Sequence, residues 1–304
     1  MPFRLSPPPA LGSSRAFRVF RGFSPLGAAV SDQLTVQNGK VLLTTEEGQR
    51  VERPEADLLE MLRGEYLPPL GDTALPDGVK FYEWRPPLLL VVHQLPPHVR
   101  QVRWIADDSP EEFGPGTVYR KVRLSVPYAI TFALYGVQNG RLFLVGNNEL
   151  YFRNEPLRCR ADRLGYPALL NVSRIQAPKR ERAWICTQYI EWPPQADWAG
   201  QLQALLEHTW NGGFNLSSEH HEGASWYGAS KGVHRDLHPV ERWEKATAAN
   251  DAFALGVPWK PAPLSVGEVM ECLFEEHGQA ARGTRRKKPP GLASRFMTYA
   301  LQKK

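Results

Sequence analysis

The chain has 304 residues, of which 42% are hydrophobic and 11% aromatic, so it can bury the core of one large domain or of two ordinary ones. No stretch approaches the roughly 18 apolar residues of a membrane-spanning helix, and the N-terminal sequence MPFRLSPPPALGSS lacks the apolar segment of a secretory signal. We therefore expect a cytoplasmic protein without membrane contact. The three cysteines include no close pair, which argues against a disulfide framework and suits a reducing compartment.

The positive charge of the chain is concentrated at its C-terminus. The formal net charge is +5, yet eight of the 37 basic residues and none of the 32 acidic ones lie in residues 279–304, which leaves 29 bases and 32 acids before them. The most basic part is Arg285, Arg286, Lys287 and Lys288. We expect this tail to be disordered and solvated, and the alternatives are that it binds a phosphate backbone or an acidic partner protein.

The N-terminal part of the chain has a β-rich pattern. After a loose arm at 1–16, the runs AFRVFRGF, DQLTVQ and KVLLTT alternate like strands, and Asn38-Gly39 suits a tight hairpin turn between the last two. The segment PEADLLEMLRGEYL predicts one helix, and VKFYEWRPPLLLVVHQ and RQVRWIA predict two further strands. The acids, prolines and glycines of 107–116 predict a domain boundary, so that 17–115 form an N-terminal β-rich domain.

The second half of the chain predicts an α+β domain at 116–278. Four consecutive strand-like runs, TVYRKVRLSV, YAITFALYGV, GRLFLVGNN and LYFRNEPL, indicate an antiparallel β-meander flanked by the helices that follow. Helices are predicted at 197–210, where Asp197 suits the N-cap, at 239–255, and at 265–277, where Ser265 and Glu268 have the spacing of a capping box.

Of the three cysteines, Cys186 is the best candidate for chemistry. It ends the apolar run AWIC ahead of a Pro-Pro break, so a strand should give way to a loop there and leave the thiol half exposed, as a nucleophile requires. The competing interpretation is a small buried hydrophobe. Cys159 alternates with Arg158 and Arg160 and should face inward from a strand, while Cys272 lies on an amphipathic helix, so both are interpreted as structural.

Histidines and tryptophans are dense in the region that follows Cys186. His208, His220 or His221 is expected to approach the thiol and lower its pKa. The spacing of His234 and His238 would suit zinc on a helix, but the adjacent proline favours a loop of hydrogen-bonding histidines, and no metal site is predicted. The tryptophans are interpreted mainly as core and rim packing, and Trp184 and Trp210 are the two assigned to partner binding.

Four short motifs occur in a fixed order along this half of the chain, and the set resembles a known family. The motifs are Pro156-Leu157, YPALLNV at 166–172, WICT at 184–187 and WNGGFN at 210–215. Following a strand meander, this set resembles the prokaryotic branch of the ubiquitin-conjugating (UBC) superfamily, and most closely the group that occurs as protein B of PRTRC systems on bacterial mobile elements. The resemblance covers roughly residues 80–228 and implies a UBC-like fold.

The resemblance also implies an activity and its residues. Cys186 matches the cysteine that accepts a ubiquitin-like protein as a thioester from a ThiF-like activating enzyme, and Asn171 matches the asparagine whose amide stabilises the oxyanion when an amine attacks. No cofactor is implied. Asn171 lies 15 positions before Cys186 with QAPKRER between them, and a hairpin extension would absorb this length.

Two other classes of function remain open from the sequence. One is a catalytically inactive interaction module that uses the same fold to bind a ubiquitin-like partner or an assembly on a mobile element or phage. The other is direct DNA association through residues 282–288.

Overall fold

The computed structural model describes residues 33–37, 39–44, 50–66, 75–138, 141–146, 148–188, 190, 197–282 and 296. The chain divides into two compact units. The first unit comprises Met1–Leu67 together with Arg285–Lys304, and the second comprises Pro68–Thr284. The N-terminal arm and the first predicted strand run, AFRVFRGF, lie outside the described residues.

The first unit contains a small antiparallel sheet and one helix: β1 (Gln33–Gln37), β2 (Lys40–Thr44), β3 (Arg50–Pro54) and α1 (Glu55–Tyr66). Gln37 pairs with Lys40, so two residues connect β1 and β2, and Gly39 has the left-handed φ of +71° that such a turn requires. The predicted hairpin and the predicted helix are therefore confirmed, whereas β3 was not predicted.

The core of the first unit includes a residue from the far end of the chain. Phe296 is fully buried in one cluster with Val41, Leu43, Leu58 and Met61. The expectation of a disordered tail is therefore wrong for Phe296, because burying an aromatic ring there contributes to the core of this unit. The other predicted tail residues from 283 onward, including 285–288, lie outside the described residues.

The second unit is built on a nine-stranded antiparallel sheet with the main order β12-β13-β10-β8-β5-β4, in which β9 pairs with β8, and β11 pairs with both β10 and β15. Its strands are β4 (Val79–Arg85), β5 (Leu88–Leu95), β8 (Tyr128–Gln138), β9 (Arg141–Leu144), β10 (Asn148–Arg153), β11 (Arg163–Gly165), β12 (Ser173–Gln176), β13 (Glu181–Ile185) and β15 (Pro261–Ser265). Most of β5 and β8 is buried on both faces, because the second unit covers both sides of the sheet centre.

A separate three-stranded sheet has the order β14-β6-β7, with β6 at His98–Ile105, β7 at Tyr119–Val126 and the short β14 at Gly213–Phe214. β6 and β7 pair antiparallel along their whole length, from His98 opposite Val126 to Ile105 opposite Tyr119. β14 joins β6 in parallel.

These pairings correct two predictions. The four runs expected to form one meander do not all pair in sequence: β8 pairs with β9 as expected, but β7 pairs with β6, and β10 pairs with β8 and not with β9. The segment 107–116 is not a domain boundary but the loop between paired strands β6 and β7, and its acids, prolines and glycines suit a loop equally well. Residues 79–105, placed by the sequence in an N-terminal domain, belong to the second unit.

The helices of the second unit are α2 (Trp198–Asn211), α3 (Ser217–His221), α4 (Trp226–Ala229), α5 (Val240–Ala249) and α6 (Val266–Arg282). Asp197 caps α2 by accepting a hydrogen bond from the Gly200 amide at 2.8 Å, as predicted. The Ser265 amide donates to the Glu268 carboxylate at 2.7 Å, which confirms the capping box of α6. The last helix runs beyond the predicted 277 to Arg282.

The protein is therefore a mixed α+β protein with antiparallel sheets, which confirms the predicted fold class but not the finer prediction of a UBC-like fold. Within the described ranges, every helix falls short of the length and apolar character needed to cross a bilayer.

Candidate functional site

Cys186 and Asn171 lie at the same end of one β-hairpin. β12 and β13 pair from Ser173 opposite Trp184 to Gln176 opposite Glu181, and the hairpin closes at residues 177–180. Cys186 directly follows β13, and Asn171 stands two residues before β12. Both therefore lie at the open end of the hairpin. The expectation that a hairpin absorbs the long spacing between them is confirmed.

The backbone of Cys186 is held by α2. His208, in the last turn of this helix, places Nε2 3.0 Å from the Cys186 carbonyl oxygen. Because a carbonyl oxygen only accepts hydrogen bonds, Nε2 carries the hydrogen. Burial lowers the pKa of His208 below its usual value, while the bond to Cys186 opposes this change. His208 is therefore a neutral donor at pH 7. Cys186 itself is half-buried, as predicted for a residue where a strand gives way to a loop.

Asn171 is held by the next residue of the same helix. Its Nδ2 donates to the Thr209 carbonyl oxygen at 2.6 Å. An amide nitrogen carries two hydrogens, so one donor of Asn171 remains for a further acceptor. The Oδ1 atom of Asn171 is buried and has no hydrogen-bond partner among the described residues. Cys186 and Asn171 are thus attached to consecutive residues of α2.

The other two histidines proposed to activate the thiol contact a different element. His220 pairs with the Glu112 carboxylate, and the rings of His220 and His221 lie 4.8 and 5.1 Å from the Phe113 ring. His208 approaches Cys186 at its carbonyl oxygen. Among the described residues none of the three rings makes a hydrogen bond to the Cys186 sulfur, and the expectation that one of them activates the thiol stays a prediction.

The two tryptophans assigned to partner binding differ in exposure. Trp184 is partly buried, and its Nε1 donates to the Gly146 carbonyl oxygen at 2.6 Å. Trp210 is only 1% exposed and packs edge-on against His98 at 5.9 Å. Its ring belongs to the core, so the structure corrects the expectation that Trp210 contacts a partner directly. The basic partner-binding residues at 285–288 lie outside the described ranges.

The remaining cysteines and histidines have local structural contacts. Cys159 is exposed in a turn, where the Asp162 carboxylate accepts from its amide at 3.2 Å, so the inward-facing strand position predicted for it is wrong. Cys272 is buried on α6, as predicted. His238 lies in a loop and makes a 2.8 Å hydrogen bond with Ser230, in agreement with the predicted loop. No group of three or more potential metal ligands converges among the described residues.

Neither of two shallow cavities on the second unit includes the Cys186 site. The larger, of about 290 Å³, lies between Arg153, Arg163 and Trp259, and the smaller, of about 230 Å³, between Arg174, Glu181 and Glu222.

Sequence reasoning missed the buried charge cluster that anchors this hairpin. Glu149 on β10 is fully buried and accepts from Arg180 Nη2, Arg182 Nε and the Tyr151 hydroxyl, each at 2.7 Å. Glu276 on α6 lies 3.5 Å from Arg180. The residues interpreted from the sequence as an inserted basic loop therefore attach the hairpin to β10 and α6.

The charges in this cluster compensate one another. Burial by itself raises the pKa of Glu149, but the hydrogen bonds and charges of Arg180 and Arg182 outweigh it and hold this pKa below its usual value. Glu149 is therefore ionised in the folded protein. Arg180 is the last residue of the hairpin turn and Arg182 lies on β13, so no strand alternation in the sequence pointed to their shared contact with Glu149.

No protein-family model, curated protein or solved structure matches this chain.

Replacing Arg180 by Met should leave the Glu149 carboxylate buried without its main partner. We expect the free energy of unfolding, measured by urea denaturation of the full chain, to fall by about 3–5 kcal/mol. Arg174→Met is the matched control, because Arg174 belongs to the same hairpin but pairs with Glu181 at the surface and should cost at most about 1 kcal/mol. Equal losses in the two variants would contradict the anchoring role.

The lowered pKa of His208 makes stability depend on pH. The unfolded chain binds this proton more readily than the folded one, so the contribution of His208 is complete above about pH 6.5 and is lost as the pH falls below it. His208→Gln keeps a donor for the Cys186 carbonyl but does not titrate. Between about pH 7 and pH 5 its free energy of unfolding should fall less than that of the wild type. A decrease as large as that of the wild type would contradict this assignment.

Proposed function

We propose that this protein is a ubiquitin-conjugating-like transferase. It accepts a ubiquitin-like protein as a thioester on Cys186 from a ThiF-like activating enzyme and passes it to an amine, with Asn171 as the oxyanion donor. The UBC-like fold is part of the same proposal. The antiparallel sheet that precedes Cys186 and the helix α2 that follows it support that fold.

The observation that carries the proposal is the shared attachment of Cys186 and Asn171. Both stand at the open end of the β12–β13 hairpin, and both are bonded to adjacent residues in the last turn of α2, His208 and Thr209. A nucleophile and an oxyanion donor must be held in fixed relative positions to act on one carbonyl group. Attachment to one hairpin and one helix provides that constraint.

The chemistry needs two acyl transfers. In the first, the Cys186 thiolate attacks the thioester carbonyl of the modifier on the activating enzyme, and the thiolate of that enzyme leaves. In the second, an amine attacks the new thioester, the Cys186 thiolate leaves, and the amine loses a proton as the amide forms. The carbonyl oxygen gains negative charge in each step, and the free N–H of Asn171 is a donor suited to that charge.

A non-catalytic interaction module is the second candidate. Among the described residues, no side chain makes a hydrogen bond to the Cys186 sulfur, and reactive cysteines usually have a neighbour that stabilises the thiolate. A scaffold that binds a ubiquitin-like partner does not need such a neighbour. The two candidates differ in whether Cys186 forms a covalent adduct.

Incubation with a ThiF-like activating enzyme, a ubiquitin-like protein and ATP should give a covalent adduct that dithiothreitol removes. Cys186→Ala should abolish the adduct, and the matched control Cys159→Ala, which removes the exposed cysteine, should retain it. The readout is the mobility of the chain on a non-reducing gel. Loss of the adduct only in Cys159→Ala, or no adduct in the wild type, would contradict transfer through Cys186.

Asn171→Ala should separate the two steps. We expect the thioester to form, while its discharge to an amine slows by about 10²–10³-fold, because one oxyanion donor is lost. Single-turnover decay of the preformed thioester in the presence of excess lysine measures this rate. Discharge at the wild-type rate would remove Asn171 from the mechanism.

A further inference from the structure

The outward face of β6 and β7 carries a cluster of exposed polar and basic side chains. We call the cluster formed by Gln101, Arg103, Lys121 and Arg123 the basic ribbon. All four side chains are exposed, whereas the alternate residues Val102 and Val122 are buried at 2% and 0%. This alternation gives the two strands one face toward the core and one toward solvent.

The charges of the basic ribbon are not compensated within the protein. Arg103 stands directly opposite Lys121, and Gln101 opposite Arg123. None of the three cations forms an ion pair within the described ranges. Like charges at directly opposite positions destabilise a sheet. The ribbon therefore carries an unfavourable arrangement that an anionic partner would relieve.

The neighbouring Arg120 shows that local compensation is available. It lies on the same strand as Lys121, and it pairs with Glu241 and, at 3.8 Å, with Glu244 of α5. Glu244 also accepts from the Arg123 backbone amide at 3.0 Å, not from its guanidinium. The acids of α5 thus pair with Arg120 and with a backbone amide of β7, and they leave the outward-facing cations of the basic ribbon unpaired.

The geometry of the ribbon suits duplex DNA. Residues two apart on a strand are about 7 Å apart and paired strands are about 4.8 Å apart, so the three cations form a compact array on the outer face of β6 and β7. Because β14 flanks β6 at Arg103, this array meets a duplex as the face of a three-stranded sheet, and arginine and lysine on such a face are suited to contact phosphates. Arginine and lysine donate to guanine, and glutamine makes paired hydrogen bonds with adenine. The Arg103 guanidinium is held over the Tyr119 ring at 4.6 Å, which limits its motion.

The same face is poorly suited to a protein partner. Protein interfaces are usually anchored by buried apolar or aromatic side chains, and the four positions of the basic ribbon carry none. The exposed acids Asp107 and Asp108 follow β6 and would repel a phosphate backbone at that end. Contact should therefore extend from Arg103 and Lys121 toward Gln101 and Arg123, away from these acids.

We propose that the basic ribbon is a docking surface for double-stranded DNA, with Arg103, Lys121 and Arg123 contacting phosphates or base edges. This site is distinct from Cys186 and from the basic residues at 285–288. It does not depend on the transferase activity proposed above.

The test is fluorescence anisotropy of a labelled duplex of about 20 base pairs with the full chain, from about 50 to 200 mM salt. The triple variant Arg103→Gln, Lys121→Gln, Arg123→Gln should bind about tenfold or more weakly at the lowest salt. The slope of log Kd against the logarithm of the salt concentration should decrease by up to about 2.7, which is about 0.9 for each lost phosphate contact. The triple variant should also be as stable as the wild type or more so, because a like-charge pair is removed.

The matched control is Arg158→Gln, Lys231→Gln, Arg235→Gln, which removes the same number and type of exposed cations elsewhere on the second unit. It should bind the duplex within about twofold of the wild type. Equal weakening in the control and ribbon variants would overturn the proposal, since binding would then follow net charge alone. A single Lys121→Glu variant tests the same face if the triple variant does not fold, and it should also weaken binding.

Two further experiments distinguish DNA binding by the basic ribbon from binding by the C-terminal basic residues and from binding of an acidic protein partner. Replacing Arg285, Arg286, Lys287 and Lys288 by Gln should leave ribbon-dependent binding of the duplex in place. The proposal would be overturned if this replacement abolished binding while the triple variant of the basic ribbon bound as well as the wild type. An acidic peptide that competes with the duplex and binds more tightly in a ribbon-dependent manner would also overturn it, as would the absence of duplex binding by the wild type at about 50 mM salt.

Discussion

The buried carboxylate of Glu149 constrains the rest of the second unit. Removing such a charge from water costs several kcal/mol unless it is paired and hydrogen-bonded. Arg180 and Arg182 supply that pairing, and both come from the β12–β13 hairpin. Glu276 of α6 lies beside the same arginines. One buried charge therefore fixes the hairpin to β10 and α6, and with it the end of the hairpin where Cys186 stands.

The helix α2 completes the positioning of that end. Its amphipathic pattern buries one face, and its capped N-terminus fixes where it begins. The last turn then presents a donor and an acceptor to two different loops, at His208 and Thr209. These are ordinary hydrogen bonds, but together they hold Cys186 and Asn171 near one another without a direct bond between them. In this arrangement the Cys186 sulfur and the second N–H of Asn171 have no hydrogen-bond partner among the described residues.

Charged side chains are paired inside the second unit but unpaired in the basic ribbon on its surface. The interior cluster balances Arg180 and Arg182 against Glu149 and Glu276. The basic ribbon, by contrast, sets Arg103 opposite Lys121, and neither forms an ion pair within the described ranges. Stability explains the first arrangement, because an unpaired buried charge would lower the free energy of unfolding by several kcal/mol. Stability does not explain the second, and a ligand for that face accounts for it.

What the sequence determined by itself was local. The Asp197 cap, the Ser265–Glu268 capping box and the turn before Lys40 depend on residues close together in the chain, and each was predicted. The tertiary structure alone decided that β7 pairs with β6, that Phe296 joins the first unit and that Arg180 meets Glu149. Strand partners and buried ion pairs join residues distant in sequence, and alternation indicates which face a side chain takes but not what lies against it.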